Sequence, residues 1–117
     1  MEQEQIKKRE WVASNSSTVA SSATWFCMGE SAMPSDLERD NYFPLKSLVF
    51  ENLSGEPYDV ILDPISATTG VKQFRVPDGK TLIIESDEDI TFYNVIVINK
   101  GSLTSAIGEL RLTVRNY

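Results

Sequence analysis

The sequence predicts an all-β fold: an antiparallel β-sandwich or jelly-roll-like domain preceded by a polar N-terminal arm with a short helix. Three observations predict it. From residue 45 onward, apolar residues recur at a period of two. The alternating runs are short, and clusters of Gly, Pro, Asn, Asp and Ser separate them. No long helical period interrupts the series. The chain has 117 residues, 41% of them hydrophobic and 24% charged, which suits one domain with its own core.

The first run has Leu48 and Phe50 alternating with Ser47, Val49 and Glu51, and ends in a turn cluster around Ser54-Gly55. In the second, Tyr58, Val60 and Leu62 alternate with Asp59, Ile61 and Asp63, and in the third Phe74 and Val76 alternate with Gln73 and Arg75. Val76-Pro77-Asp78-Gly79 marks a turn, because proline presets φ and glycine accepts φ above zero. Leu82 and Ile84 form the fourth run, and Ser86 to Asp89 a polar turn. The longest run, Ile90 to Ile98, puts Ile90, Phe92, Ile96 and Ile98 on one face and Tyr93, Val95 and Val97 on the other. After Asn99-Lys100-Gly101-Ser102, the last strand turns Leu110, Leu112 and Val114 inward and Glu109, Arg111, Thr113 and Arg115 outward.

Residues 1–44 read as an arm with short helical segments and residues 45–117 as the β domain. Glu4 and Lys8 stand four apart in the favourable order for a helix over residues 1–12, whose apolar stripe is Ile6, Trp11 and Val12. So short a helix needs a surface to dock on. SNSSTVASSAT, over residues 14–24, has the composition of a tether or extended arm. Ser35-Asp36-Leu37-Glu38 fits a capping box.

The chain contains no histidine, which removes the commonest general base and the commonest metal ligand together. Serine triads, cysteine–histidine dyads and zinc sites are excluded in their usual forms. No spacing argues for a Ser–Lys or paired-carboxylate enzyme, so the expectation is a non-enzymatic protein with no cofactor and no metal. Net charge is −6, and the basic run Lys7-Lys8-Arg9 is flanked by Glu2, Glu4 and Glu10, so neither nucleic acid nor a membrane is an expected partner. The polar N-terminus lacks the apolar centre of a secretory signal. Cys27, the only cysteine, reads as a small buried hydrophobe. The acidic cluster Glu85 to Asp89 reads as a solvated turn ahead of a calcium site. Asp78-Gly79-Lys80-Thr81 lacks the first glycine of a phosphate-binding loop, and a strand follows it.

An assembly or binding role is left. Trp11, Trp25 and Phe26 are the candidate anchors of the arm. Tyr93, Val95 and Val97 are the candidate interface of a central strand that is apolar on both faces, to be covered by the domain itself, another subunit or the arm. VPDGKTLII (76–84), DITFYNVIVINKG (89–101) and GELRLTVRNY (108–117) resemble segments of the small accessory β-domains of viral particles, the decoration, spike or tail-associated proteins of bacteriophages and archaeal viruses. The Ser/Thr-rich arm is similar to those with which virion proteins lock onto neighbours. The resemblance implies a structural or accessory virion protein, assembled in the host cytoplasm as a homo-oligomer or on other virion proteins. The alternative is a carbohydrate- or surface-ligand-binding sandwich that uses Trp11, Trp25, Tyr42, Tyr58, Tyr93 and Tyr117.

Overall fold

The computed structural model describes residues 8–35, 41–65 and 72–117. Among these residues there are eight strands: β1 (Glu10–Ser14), β2 (Thr24–Trp25), β3 (Ser47–Asn52), β4 (Tyr58–Leu62), β5 (Lys72–Val76), β6 (Thr81–Ile84), β7 (Val95–Asn99) and β8 (Leu110–Arg115). They form two antiparallel four-stranded sheets, in the orders β1-β8-β3-β6 and β2-β7-β4-β5. First pairs with last, second with seventh, third with sixth and fourth with fifth. A hairpin of strands rolled up on itself gives this nesting, which is the jelly-roll arrangement.

Each inner face follows from the alternation. Leu48 and Phe50 of β3, Tyr58, Val60 and Leu62 of β4, and Leu110, Leu112 and Val114 of β8 are buried in one core. The six strands expected after residue 45 are all present. The Ile90 to Ile98 run differs in phase from the expectation. Asp63 Oδ1 accepts hydrogen bonds from the backbone N–H of both Tyr93 and Asn94, at 2.7 and 2.9 Å, and Asn94 O accepts from Asp63 N. The chain is held there away from a straight strand, so Phe92, Val95 and Val97 all reach the main core. Ile96 and Ile98 turn to the opposite side of β7 and form a separate buried cluster with Ile61.

The N-terminal region departs further from the sequence reading. Helix was expected up to residue 12, yet Glu10 to Ser14 is a strand paired with Arg115 to Arg111 of β8. Trp11 and Ala13 point into the core, so their spacing is that of a strand. The adjacent apolar pair Trp11-Val12 mimicked a helical stripe, and nothing local could announce a partner strand a hundred residues away. The proposed arm therefore supplies two of the eight strands, since β2 also lies before residue 44 and pairs with β7. The start of the expected helix and most of the Ser35 to Glu38 capping box fall outside the described residues. Among the described residues, no helix is long and apolar enough to cross a membrane.

Candidate functional site: a loop end held by three asparagines

The antiparallel order brings four connections to one end of the sandwich: residues 15–23, 53–57, 77–80 and 100–109. Three asparagines stand where strands run into these loops, and all three are buried: Asn15 after β1, Asn52 closing β3 and Asn99 closing β7. A buried carboxamide without partners would be costly. Each of these is used at both its nitrogen and its oxygen.

Asn15 donates to Ser17 O and Ala106 O, both at 2.9 Å, and accepts from the N–H of Gly108 and Leu110. Asn52 donates to Glu56 O, Val76 O and Pro77 O, at 2.7 to 3.2 Å, and accepts from Ser54 N and Oγ. Asn99 donates to Val19 O and Leu103 O and accepts from Gly101 N. Every one of the four loops is thus pinned to a strand end. The buried Tyr58 hydroxyl adds a fourth tie, 2.6 Å from Ser105 Oγ; burial raises its pKa above the usual tyrosine value.

The loops are also strapped to one another. Leu103 N donates to Glu56 Oε1 at 2.5 Å, and Leu53 N donates to Glu109 O at 3.0 Å. Gly101 lies against Glu56 so closely that a Cβ there would stand 2.7 Å from Glu56 Cβ. Gly79, at φ 73°, donates to Asn52 O while Asn52 N donates to Lys80 O. That is a bulge of the kind that needs glycine in the left-handed region. On this fixed base the tips carry exposed aliphatic side chains: Leu53 (68%), Leu103 (68%) and Ile107 (63%).

The residues singled out from sequence are placed elsewhere. Trp11, Trp25, Val95 and Val97 are buried within the single chain. Within the chain these four side chains, expected at an interface, pack into the domain's own core. Each is a core residue because β1, β2 and β7 all turn that side inward. Phe26, just after β2, and Tyr93, at the opposite end of the sandwich before β7, are exposed. There Tyr93 leans on Phe43, and Arg9 lies over the rings of both Trp11 and Tyr42.

Several other polar groups have structural partners. Glu85 and Glu88 cap each other's ends of a short turn, with Glu85 N donating to Glu88 Oε2 at 2.7 Å. No group of three or more His, Cys, Asp or Glu side chains is arranged to hold a metal among the described residues. The Cys27 thiol is enclosed, 3.2 Å from Val95 O, and burial pushes its pKa far up. Asp59, buried on β4, accepts from Gln73 Nε2 at 2.7 Å and from Arg75 Nε. Burial alone would raise its pKa; those hydrogen bonds and the Arg75 charge outweigh burial and hold the carboxyl below its ordinary range. Glu30 accepts from Ser16 N, Ser16 Oγ and Trp25 Nε1, tying the β1–β2 loop to the segment after β2.

The sequence reading missed the asparagine set. Its only local signal is that each Asn ends or follows an alternating run, which is also where turn asparagines occur. No family model, curated protein or solved structure matches the chain.

Proposed function

We propose that the protein is a non-enzymatic structural or accessory component of a viral particle, and that it docks on another virion protein through its loop end. The observation that carries this reading is the contrast within that end. Three buried carboxamides and two straps between loops fix that end, while Leu53, Leu103 and Ile107 stand out into solvent. Apolar tips on a rigid base lose little conformational freedom on binding, so burying them yields more net affinity than burying mobile ones. Large side chains that enter pockets on a partner are also the usual energetic centres of an interface.

The virion setting is supported by the jelly-roll strand order, which capsid domains share with lectins and cupins, and by the resemblance of the hairpin sequences. Sugar binding is the second reading, since lectins use the same order. It finds less support in the aromatic residues. Trp11, Trp25 and Tyr58 are spent in the core. Tyr93 rests on Phe43, and Tyr117 lies between Lys8 and Arg115, so these two rings do not make one open platform.

The test replaces Leu53, Leu103 and Ile107 together with serine and quantifies the protein in purified particles from its native host by mass spectrometry. Wild type should co-purify with particles, and the variant should stay folded yet be lost from them. Wild type absent from every particle fraction refutes the proposal.

A further inference from the structure

Four strands lie at sheet edges: β1, β2, β5 and β6. An edge strand exposes unpaired backbone groups, and proteins usually blunt it with shortness, charge or proline. β2 is two residues long. β5 carries Lys72 and Arg75, and β1 carries Glu10. β6, four residues long, has neither charge nor proline within it: it reads Thr-Leu-Ile-Ile, with Thr81 and Ile83 exposed.

The hydrogen-bond phase shows which backbone groups of β6 are open. Asn52 N bonds to Lys80 O, so residues 52 and 80 mark a bonded position of the β3–β6 ladder. Bonded positions alternate along an antiparallel pair. The register Leu48↔Ile84, Val49↔Ile83, Phe50↔Leu82 and Glu51↔Thr81 therefore assigns Leu82 and Ile84 to β3. The N–H and C=O of Thr81 and Ile83 point away from β3 to the open edge, where they have no partner among the described residues.

We propose that this edge pairs with β6 of a second copy, antiparallel about a two-fold axis at Ile83, which joins the two first sheets into one of eight strands. Only odd-numbered residues face the edge, so odd must pair with odd. With Ile83 opposite Ile83 of the second copy, the two exposed isoleucines cover each other. Thr81 then lies opposite Glu85, whose backbone groups stay bonded within their own turn, so Ile83 with Ile83 is the main-chain pair; Lys80 lies opposite Ser86, at the start of the acidic turn containing Asp87 and Glu88. The two-fold repeats this opposite-charge contact at both ends of the pair, and that complementarity selects a second copy as the occupant. The proposal extends the assembly reading but does not depend on the loop tips, which are in other segments. Because β6 runs away from the loop end, the two loop ends of the dimer point in opposite directions.

The experiment is light scattering and sedimentation of the full chain across concentrations up to millimolar. The expected mass approaches twice the 13.1 kDa chain. Ile83→Pro removes an outward N–H and spares the β3–β6 ladder, a position where proline is tolerated, and it should give a folded monomer. Lys80→Glu should weaken the dimer at least tenfold, and adding Asp87→Lys, which leaves the Glu85–Glu88 cap intact, should restore it. The restoration decides the matter if the proline variant fails to fold. The triple serine variant of the loop tips should remain a dimer. A wild type that is monomeric throughout overturns the proposal. So does a dimer that survives both Ile83→Pro and Lys80→Glu, or one lost in the loop-tip variant.

Discussion

Replacing Asn52 with alanine should destabilise the fold far more than its place at the start of a surface turn suggests. The side chain is fully buried and makes five hydrogen-bonding contacts, reaching the β3–β4 and β5–β6 loops. Net loss per hydrogen bond is about 0.5 to 1.5 kcal/mol, and a buried group left unpaired costs about 1 to 3 kcal/mol. Water can enter at the turn and re-pair some of these groups, so the sum is well short of five full penalties. About 2 to 4 kcal/mol is expected, against a total stability of roughly 5 to 15 kcal/mol. For a domain of this size that lowers Tm by about 8 to 16 °C. Asn52→Asp should be at least as damaging, because it turns the nitrogen that serves three carbonyls into a second acceptor. Urea unfolding at constant m-value measures the change, and hydrogen exchange at Ser54 and Gly55 localises it. A loss below about 0.5 kcal/mol, the range of an ordinary surface substitution, would refute the claim that the carboxamide holds both loops.

Three further outcomes follow from the geometry. Gly101→Ala drives a methyl into Glu56 Cβ and should cost about 1 to 3 kcal/mol as an overpacked contact; a thermal midpoint equal to wild type would contradict the strap. Asp59 has a lowered folded pKa, so its stabilisation is complete above the ordinary carboxylate value near ~4 and is lost as pH falls through the lowered one. Asp59→Asn should therefore be less stable at neutral pH and show a shallower acid limb in urea midpoints from neutral to strongly acidic buffer; parallel curves would show that Asp59 does not contribute. Deleting residues 1–24 removes β1, Trp11 and the Asn15 tie, and should abolish cooperative unfolding by circular dichroism. A folded remainder would return these residues to the status of an arm.

What the sequence disclosed and what it hid divide along one physical line. Strands β3, β6 and β8 were legible from the period-two alternation that an inward face imposes on neighbouring residues, and β4 and β7, buried on both faces, from their runs of apolar and β-branched residues. Tyr58-Val60-Leu62 and Leu110-Leu112-Val114 needed no knowledge of their partners. β1 was hidden because its five residues, EWVAS, acquire their alternation from β8, and β2 is too short to alternate at all. The kink at Tyr93-Asn94 was hidden because it is made by Asp63, a side chain thirty residues away. The candidate site was the least legible part. An asparagine at a strand end has the same local sequence whether it caps its own turn or, like Asn15, reaches residue 106.

The nested pairing also determines when the sheets can close during synthesis. β4 and β5, the innermost pair, are neighbours in the chain and can join as soon as both have emerged. β1 emerges before the other strands, yet its sheet partner among the described residues is β8, and Glu10 meets Arg115 only 105 residues later. At about 5 to 20 residues per second, Trp11 and Ala13 wait roughly 5 to 20 s for the strand that buries them. A nascent chain stalled before residue 110 would hold the inner hairpin but lack the strand that lies between β1 and β3. β8 therefore completes the first sheet, and a product truncated before it would expose the open sides of both neighbours to the cell's quality control.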